Sequence, residues 1–169
     1  MGRNAIILIL MACLAAGCAA PSSSQKYSPL PNGLFPADGL VTQRAVLTVR
    51  GRQFALNGYT VLSKEHGSRL VVTEMFGQEL ADVLVQPDGQ IYVMQSSRML
   101  RAAWVRRYLA ADLRCLFGTN HGTGCPVEML SPTHFMVKRP WYSLDVHIVE
   151  TKPGPQPAEL FDSSKAEKP

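Results

Sequence analysis

The chain lacks the signatures that would mark it as an enzyme or a nucleic-acid-binding protein. It contains no Gly-x-Ser-x-Gly nucleophile elbow, and no reactive thiol stands beside a base. Its Lys and Arg residues are dispersed, and a net charge of +4 is too mild to favour nucleic acid as a partner. Beyond the first residues there is no long apolar run, which excludes several membrane-spanning helices. We therefore predict a non-enzymatic protein with no catalytic residue, no cofactor and no metal ion.

The N-terminus, in contrast, carries a secretory pattern. Arg3 precedes an apolar run over residues 5–14, which is shorter than the roughly 20 residues that a membrane-spanning helix needs. The run ends in Leu-Ala-Ala-Gly-Cys at residues 14–18, which resembles the lipobox of bacterial lipoproteins. The resemblance implies removal of residues 1–17 and acylation of Cys18, which would anchor the protein to a membrane. An ordinary signal peptide or an uncut anchor is the alternative.

The residue after the lipidated cysteine bears on localisation. In the sorting rule of the lipoproteins that the chain resembles, an Asp at this place retains the protein at the inner membrane. Ala19 stands there instead. The resemblance therefore implies an outer-membrane lipoprotein at the periplasmic face.

Cysteine usage agrees with a compartment outside the cytoplasm. Cys13 lies in the signal and Cys18 takes the lipid, so Cys115 and Cys125 remain as a pair. In an oxidising compartment such a pair predicts a disulfide, and the Gly-rich loop between the two residues can bend enough to close it. The alternative is a metal site of Cys115, His121 and Cys125, which lacks a fourth ligand at a typical zinc spacing.

Composition divides the mature chain into a tether, one domain and a tail. Residues 18–39 begin with small polar residues and continue with several prolines, which is typical of a flexible tether. Residues 40–151 are long enough to form a single domain with a hydrophobic core. Residues 152–169 are rich in proline and charge, and are predicted to be disordered.

Within the domain the dominant pattern is period-two alternation of apolar and polar residues, which predicts strands. The alternating segments are 45–50, 53–56, 59–62, 69–76, 79–86, 91–95, 134–138 and 142–150. Asn57-Gly58 is the pair that a two-residue hairpin turn prefers, so we expect a turn there. Short connections of this kind predict an antiparallel sheet.

Residues 99–117 change to a helical pattern. Val105, Leu109, Leu113 and Leu116 recur at helical spacing together with Tyr108 and Asp112, whereas Arg106, Arg107 and Arg114 fall largely on the other side. The apolar stripe requires a partner, and the apolar face of the sheet is the one available. The expected fold is α+β, with one curved antiparallel sheet and an amphipathic helix on its concave face.

A lipobox, a meander of hairpins and one helix before the last strands resemble the outer-membrane lipoprotein localisation factors LolA and LolB. The chain resembles more closely a family of small Gram-negative outer-membrane lipoproteins of unknown function found with aryl polyene gene clusters. The segments that carry this resemblance are 39–44 (GLVTQR), 52–54 (RQF), 70–80 (LVVTEMFGQEL) and 108–114 (YLAADLR). The resemblance implies a half-open barrel capped by helices, with an apolar cavity that could hold acyl chains. LolB also has an exposed Leu on a loop that helps to insert lipoproteins, and no residue here is assigned that place.

The leading functional hypothesis is a lipid-anchored module that binds an acyl or polyene chain between sheet and helix. Candidate cavity-lining residues are Met75, Phe76, Met94, Met99, Trp104 and Tyr108, because flexible methionines and aromatic rings suit a cavity for varied apolar ligands. Ordinary core packing explains the same residues.

Two other functions are kept as alternatives. One is a structural or protein-interaction lipoprotein with a closed core, whose protein partner the sequence does not name. The other, weaker, is a hydrolase of envelope lipids, which needs His134 or His147 near a nucleophile. Asp145 and His147 alternate onto one face of the last strand and could orient an imidazole for base catalysis, but a solvated polar face explains them as well.

Overall fold

The computed structural model describes residues 33–117 and 125–166. The strands are β1 (Gly39–Val49), β2 (Arg52–Ser63), β3 (Gly67–Glu74), β4 (Glu79–Val85), β5 (Ile91–Ser96), β6 (Val127–Ser131), β7 (His134–Arg139) and β8 (Tyr142–Pro153). They form one eight-stranded antiparallel sheet in the order β5-β4-β3-β2-β1-β8-β7-β6. The sheet is not closed, since β5 and β6 are its edges. The predicted α+β class with a single antiparallel sheet is confirmed.

The first hairpin turn is not where the sequence predicts it. Strand β2 runs straight through Asn57-Gly58, and the turn between β1 and β2 lies at Arg50-Gly51, where φ is 49° and 76°. Gly58 instead provides room for a side chain of the neighbouring strand: a Cβ there would lie 2.6 Å from Nε2 of Gln43. The turn prediction at Asn57-Gly58 is therefore wrong, because this glycine serves close packing rather than a positive φ.

One helix, α1 (residues 102–117), connects the two edges of the sheet. It comprises Ala102–Trp104, a π-helical segment Val105–Leu109 and Ala110–Phe117. The predicted apolar stripe is buried at Val105, Leu109, Leu113 and Leu116, and each such side chain stabilises the fold by about 2 kcal/mol. We call the sheet face that carries α1 the inner face. In the described parts of the chain, no helix is long and apolar enough to cross a membrane.

Cys115 and Cys125 form the predicted disulfide, with their Cα atoms 5.5 Å apart. The bond links α1 to the residues just before β6. Closing so short a loop stabilises by about 2–3 kcal/mol on the chain-entropy model. Because both sulfurs are bonded to each other, the alternative metal site of Cys115, His121 and Cys125 is not formed; His121 lies outside the described residues.

The C-terminal segment packs on the opposite, outer face of the sheet. Lys152 and Pro153 still belong to β8, and two 3₁₀ turns follow at Ala158–Phe161 and Ser163–Lys165. These turns contact β3 and β5, and the Phe161 ring is buried. The described part of the tail therefore differs from the disordered segment expected from Lys152 onward. An apolar residue of the tail, Phe161, contributes to this packing. The prediction of disorder rested on the proline-rich and charged composition and did not consider it.

An ion pair on the outer face also holds the tail. The Arg69 guanidinium binds the Asp82 carboxylate through Nε–Oδ1 and Nη2–Oδ2 contacts of 2.9 and 2.5 Å. Its Nη1 donates to the carbonyl oxygen of Leu160 at 2.7 Å. Since Asp82 is buried, this two-point pairing and the added backbone contact satisfy charges that would otherwise be costly to desolvate.

Candidate functional site

An apolar cavity lies between α1 and the inner face of the sheet, with a volume of about 40 Å³. The sheet contributes side chains from its central strands, among them Ala45, Leu47, Leu70, Val72, Leu144 and Val146. The helix contributes Trp104, Leu109, Leu113 and Leu116. Alternation along β1, β3 and β8 explains this composition, because every second residue points inward. The cavity is suited to an apolar ligand by its lining.

The size of the cavity limits what it holds in this conformation. A single water requires roughly 10–15 Å³ measured in this way, whereas an apolar cavity that admits benzene measures roughly 150 Å³. The space under α1 is therefore too small for an acyl or polyene chain as it stands. Binding such a chain requires α1 to move away from the sheet.

A buried polar cluster connects α1 to the β7–β8 hairpin next to this cavity. Asp112, only 1% exposed, accepts hydrogen bonds from Arg139 Nε and Nη2 at 3.2 and 2.5 Å. Its other carboxylate oxygen accepts from the Tyr142 hydroxyl. Both Asp112 and Tyr142 also line the cavity. We call Asp112, Arg139 and Tyr142 the helix latch, because they are the polar contacts described between α1 and this hairpin.

Burial dominates the protonation behaviour of the latch. It raises the pKa of Asp112 above its ordinary value, and the hydrogen bonds from Tyr142 and Arg139 only partly oppose this. Burial, reinforced by the Asp112 carboxylate, raises the pKa of Tyr142 far above its ordinary range, so the phenol remains a donor. Because the Asp112 carboxylate is buried, its charge is stabilised by its hydrogen bonds to Arg139 and Tyr142. The helix latch is therefore sensitive to loss of any one of the three residues.

A second polar pair lies on the inner face. Gln43 on β1 and Thr60 on β2 hydrogen-bond to each other at 3.3–3.4 Å, and both are buried. Gln43 also lines the cavity. Sequence reasoning did not single out either residue. The signal was present, since each is a polar residue at an inward position of an alternating strand, but only the strand register shows that they meet.

Of the six residues predicted to line the cavity, the structure places Trp104 there. Tyr108 packs instead against the Trp141 ring at 5.0 Å and lies under the Arg107 guanidinium. Met94 is half-buried on β5 outside the lining, and Met99 is exposed before α1. The expectation is therefore wrong for these three, because the lining comes from the central strands and from other residues of the helix.

Met75 and Phe76 are the clearest departure from the predicted lining. They are 69% and 95% exposed, at the turn between β3 and β4. Backbone bonds from Glu74 N to Gln78 O and from Gly77 N to Glu74 O, both 3.0 Å, close this turn and end the strand alternation before Met75. The turn therefore presents two large apolar side chains to solvent. Isolated exposed apolar residues are ordinary, but a phenylalanine exposed to this degree at a projecting tip suits contact with an apolar phase.

Comparison with known proteins gives this chain no family. No protein-family model matches it, and no curated protein is significantly similar in sequence. Cys18 and the predicted signal peptide lie outside the described residues. Acylation of Cys18 therefore stays a prediction.

Proposed function

We propose that this chain is a lipid-anchored, non-enzymatic envelope protein that binds an acyl or polyene chain between α1 and the sheet. The observation that carries the proposal is the apolar cavity beneath a single helix that joins the two open edges of the sheet. A helix in this position can move without breaking a strand pairing. Movement of α1 would enlarge the cavity along the apolar inner face.

The contacts that attach α1 to the sheet would allow the helix to act as a lid over the cavity. Its C-terminal part is tied to the β6 side by the disulfide, and the helix latch holds it to the β7–β8 hairpin. The π-helical segment Val105–Leu109 lies between the N-terminal turn and the latch residue Asp112. Such segments are less regular than α-helix and are frequent at functional sites. We infer that the lid opens on the β5 side, where residues 97–101 connect α1 to the sheet and no disulfide is described.

The resemblance to LolA and LolB would place this binding at the periplasmic face of the outer membrane, with Cys18 as the lipid anchor. The exposed tip of Met75 and Phe76 supports a role at a membrane, because it offers an apolar group to lipid without unfolding. Transfer of acyl chains between the membrane and the cavity would use both features.

Native mass spectrometry of the full-length protein, extracted in mild detergent from a Gram-negative envelope, tests this function. We expect an additional mass beyond the acylated chain that is released on denaturation and identifies the ligand. The cavity-lining variant Ala45→Leu should lose this mass, because the larger side chain occupies the space under α1. The same substitution at the exposed Ala55, on the outer face of β2, is the matched control.

If repeated preparations of the wild-type protein showed only the mass of the acylated chain, this result would contradict ligand binding. It would favour the second candidate, a structural or protein-interaction lipoprotein with a closed core. The small volume of the cavity is the observation that supports this candidate. Crosslinking in intact cells would then be used to find the protein partner.

The exposed tip gives a separate prediction for the unanchored chain 19–169, which includes every residue of the described fold. Phe76→Ser should weaken its partition onto phospholipid vesicles by about tenfold or more, since burying a Phe side chain contributes about 1.5–3 kcal/mol. Leu130→Ser, which changes an exposed apolar residue on β6, is the matched control and should have little effect. If both variants lost vesicle binding equally, or if neither lost it, the tip would be excluded as a specific membrane contact. Vesicle co-sedimentation measures the partition.

A further inference from the structure

Two histidines and an aspartate converge on the outer face of the β7–β8 pair. His134 on β7 lies directly opposite His147 on β8 in the strand register, and Asp145 lies two positions before His147. Their inward neighbours Phe135 and Val146 are buried in the core, so the three polar side chains share the outer face. The sequence placed Asp145 and His147 on one face, and the register adds His134.

Both imidazole rings approach the same carboxylate oxygen of Asp145. Nε2 of His134 lies 2.7 Å from Oδ1 of Asp145, and Nε2 of His147 lies 3.2 Å from the same oxygen. The two imidazole rings stack with their centroids 3.8 Å apart and their planes 21° apart. One potential ligand atom from each residue lies within 4.8 Å of the others. The two ring nitrogens and the carboxylate oxygen therefore form a cluster of three atoms that can serve as metal ligands.

We propose that His134, Asp145 and His147 bind a divalent transition-metal ion of the Zn²⁺ class. Imidazole nitrogen and carboxylate oxygen are ligands that Zn²⁺ accepts, and bonds of about 2.0–2.1 Å in a tetrahedral site separate neighbouring ligand atoms by about 3.3 Å. The His147–Asp145 contact of 3.2 Å is already near this separation, and the His134–Asp145 contact of 2.7 Å has to lengthen to reach it. Metal binding replaces the His134–Asp145 contact with bonds from both ring nitrogens and the carboxylate oxygen to the ion, and a fourth position is left for a ligand from solvent.

Charged residues around the cluster influence its affinity for a metal ion. Arg44 on β1 is paired with His147 in the register and shares the outer face, so its charge opposes a cation at the cluster. Lys138, on the same face of β7, forms an ion pair with Glu128 at 2.7 Å. Arg44→Gln should therefore strengthen metal binding. The site is on the face opposite the cavity, so this proposal does not depend on the proposed ligand-binding function.

Zn²⁺ competition between a chromogenic chelator and the full-length protein in detergent tests the site. The purification tag must contain no histidine. We expect one high-affinity Zn²⁺ per chain, and binding at least about tenfold weaker in His134→Asn, Asp145→Asn and His147→Asn. His66→Asn is the matched control, because His66 packs against Phe161 far from the cluster in the fold.

Circular dichroism of each variant confirms that the fold is intact, which these partly exposed positions should allow. Tighter binding in Arg44→Gln would support the cluster as the site independently of any loss-of-ligand variant. Wild-type stoichiometry well below one, or equal affinity in the wild type and the His134→Asn/His147→Asn double variant, would overturn the proposal. The three residues would then be a hydrogen-bonded surface cluster only.

Discussion

Asp112→Ala is expected to lower the free energy of unfolding by about 2–3 kcal/mol, because it removes the buried acceptor of the Tyr142 hydroxyl and of the partly exposed Arg139 guanidinium. The buried Tyr142 hydroxyl would lose its acceptor, and Arg139, whose side chain is 24% exposed, would lose its ion-pair partner while staying partly solvated. The same substitution removes the polar contacts described between α1 and the β7–β8 hairpin, whereas the ring contacts Trp104–Tyr142 and Tyr108–Trp141 remain. Urea unfolding of the wild type and the variant, followed by far-ultraviolet circular dichroism, measures the difference.

A double-mutant cycle separates the ion pair from the effect of a cavity. Arg139→Ala should be destabilising by itself, and the Asp112→Ala/Arg139→Ala double variant should lose clearly less than the sum of the two single losses. The exposed Arg114→Ala, on the same helix, is the control and should change stability by less than about 0.5 kcal/mol. Additive losses in the cycle would show that the two residues do not act together.

The second large effect is expected at Phe135, the second residue of β7, whose side chain is 0% exposed. Phe135→Ala should lower the free energy of unfolding by about 3–5 kcal/mol, through lost burial and the cavity left behind. The Phe35 ring, which packs 5.9 Å from Phe135 and 4.7 Å from Phe117, would lose part of its support. Denaturant unfolding measures the loss.

Phe135→Leu fills most of the space and should cost less than half as much as Phe135→Ala. The exposed Trp141, which is aromatic but outside the core, supplies the control Trp141→Ala. If Phe135→Ala cost no more than Trp141→Ala, the packing described for β7 would be incorrect.

The fold class followed from the sequence because alternation and helical spacing are local patterns. Where a residue's role depends on a distant neighbour, local reasoning failed. Gly58 was assigned to a turn because Asn-Gly favours one, whereas the decisive contact is the Gln43 side chain on the adjacent strand. Met75 and Phe76 continue the apolar character of β3, and only the turn closed by Glu74, Gly77 and Gln78 removes them from the sheet.

The helix latch shows which part of the site could be predicted. Asp112 falls within the apolar stripe of α1, and an acidic residue there indicates a buried partner. The identity of that partner could not be read from the sequence, because Arg139 and Tyr142 lie on strands whose position relative to α1 depends on the whole sheet. The Asp145–His147 pair was visible as an i, i+2 pattern, but His134 joins it only through the β7–β8 register.

The strand order has a consequence for how the chain folds. Strands β1 to β5 follow one another as neighbours, so these hairpins can form early, from local contacts. The centre of the sheet, however, joins β1 to the last strand, with Val49 opposite Tyr142 and Gly39 opposite Pro153. Until β8 arrives, β1 is an unprotected edge and the inner face beside it is exposed, which is a state prone to aggregation. The β1 edge is therefore protected only after the C-terminal strand has been made and has paired with it.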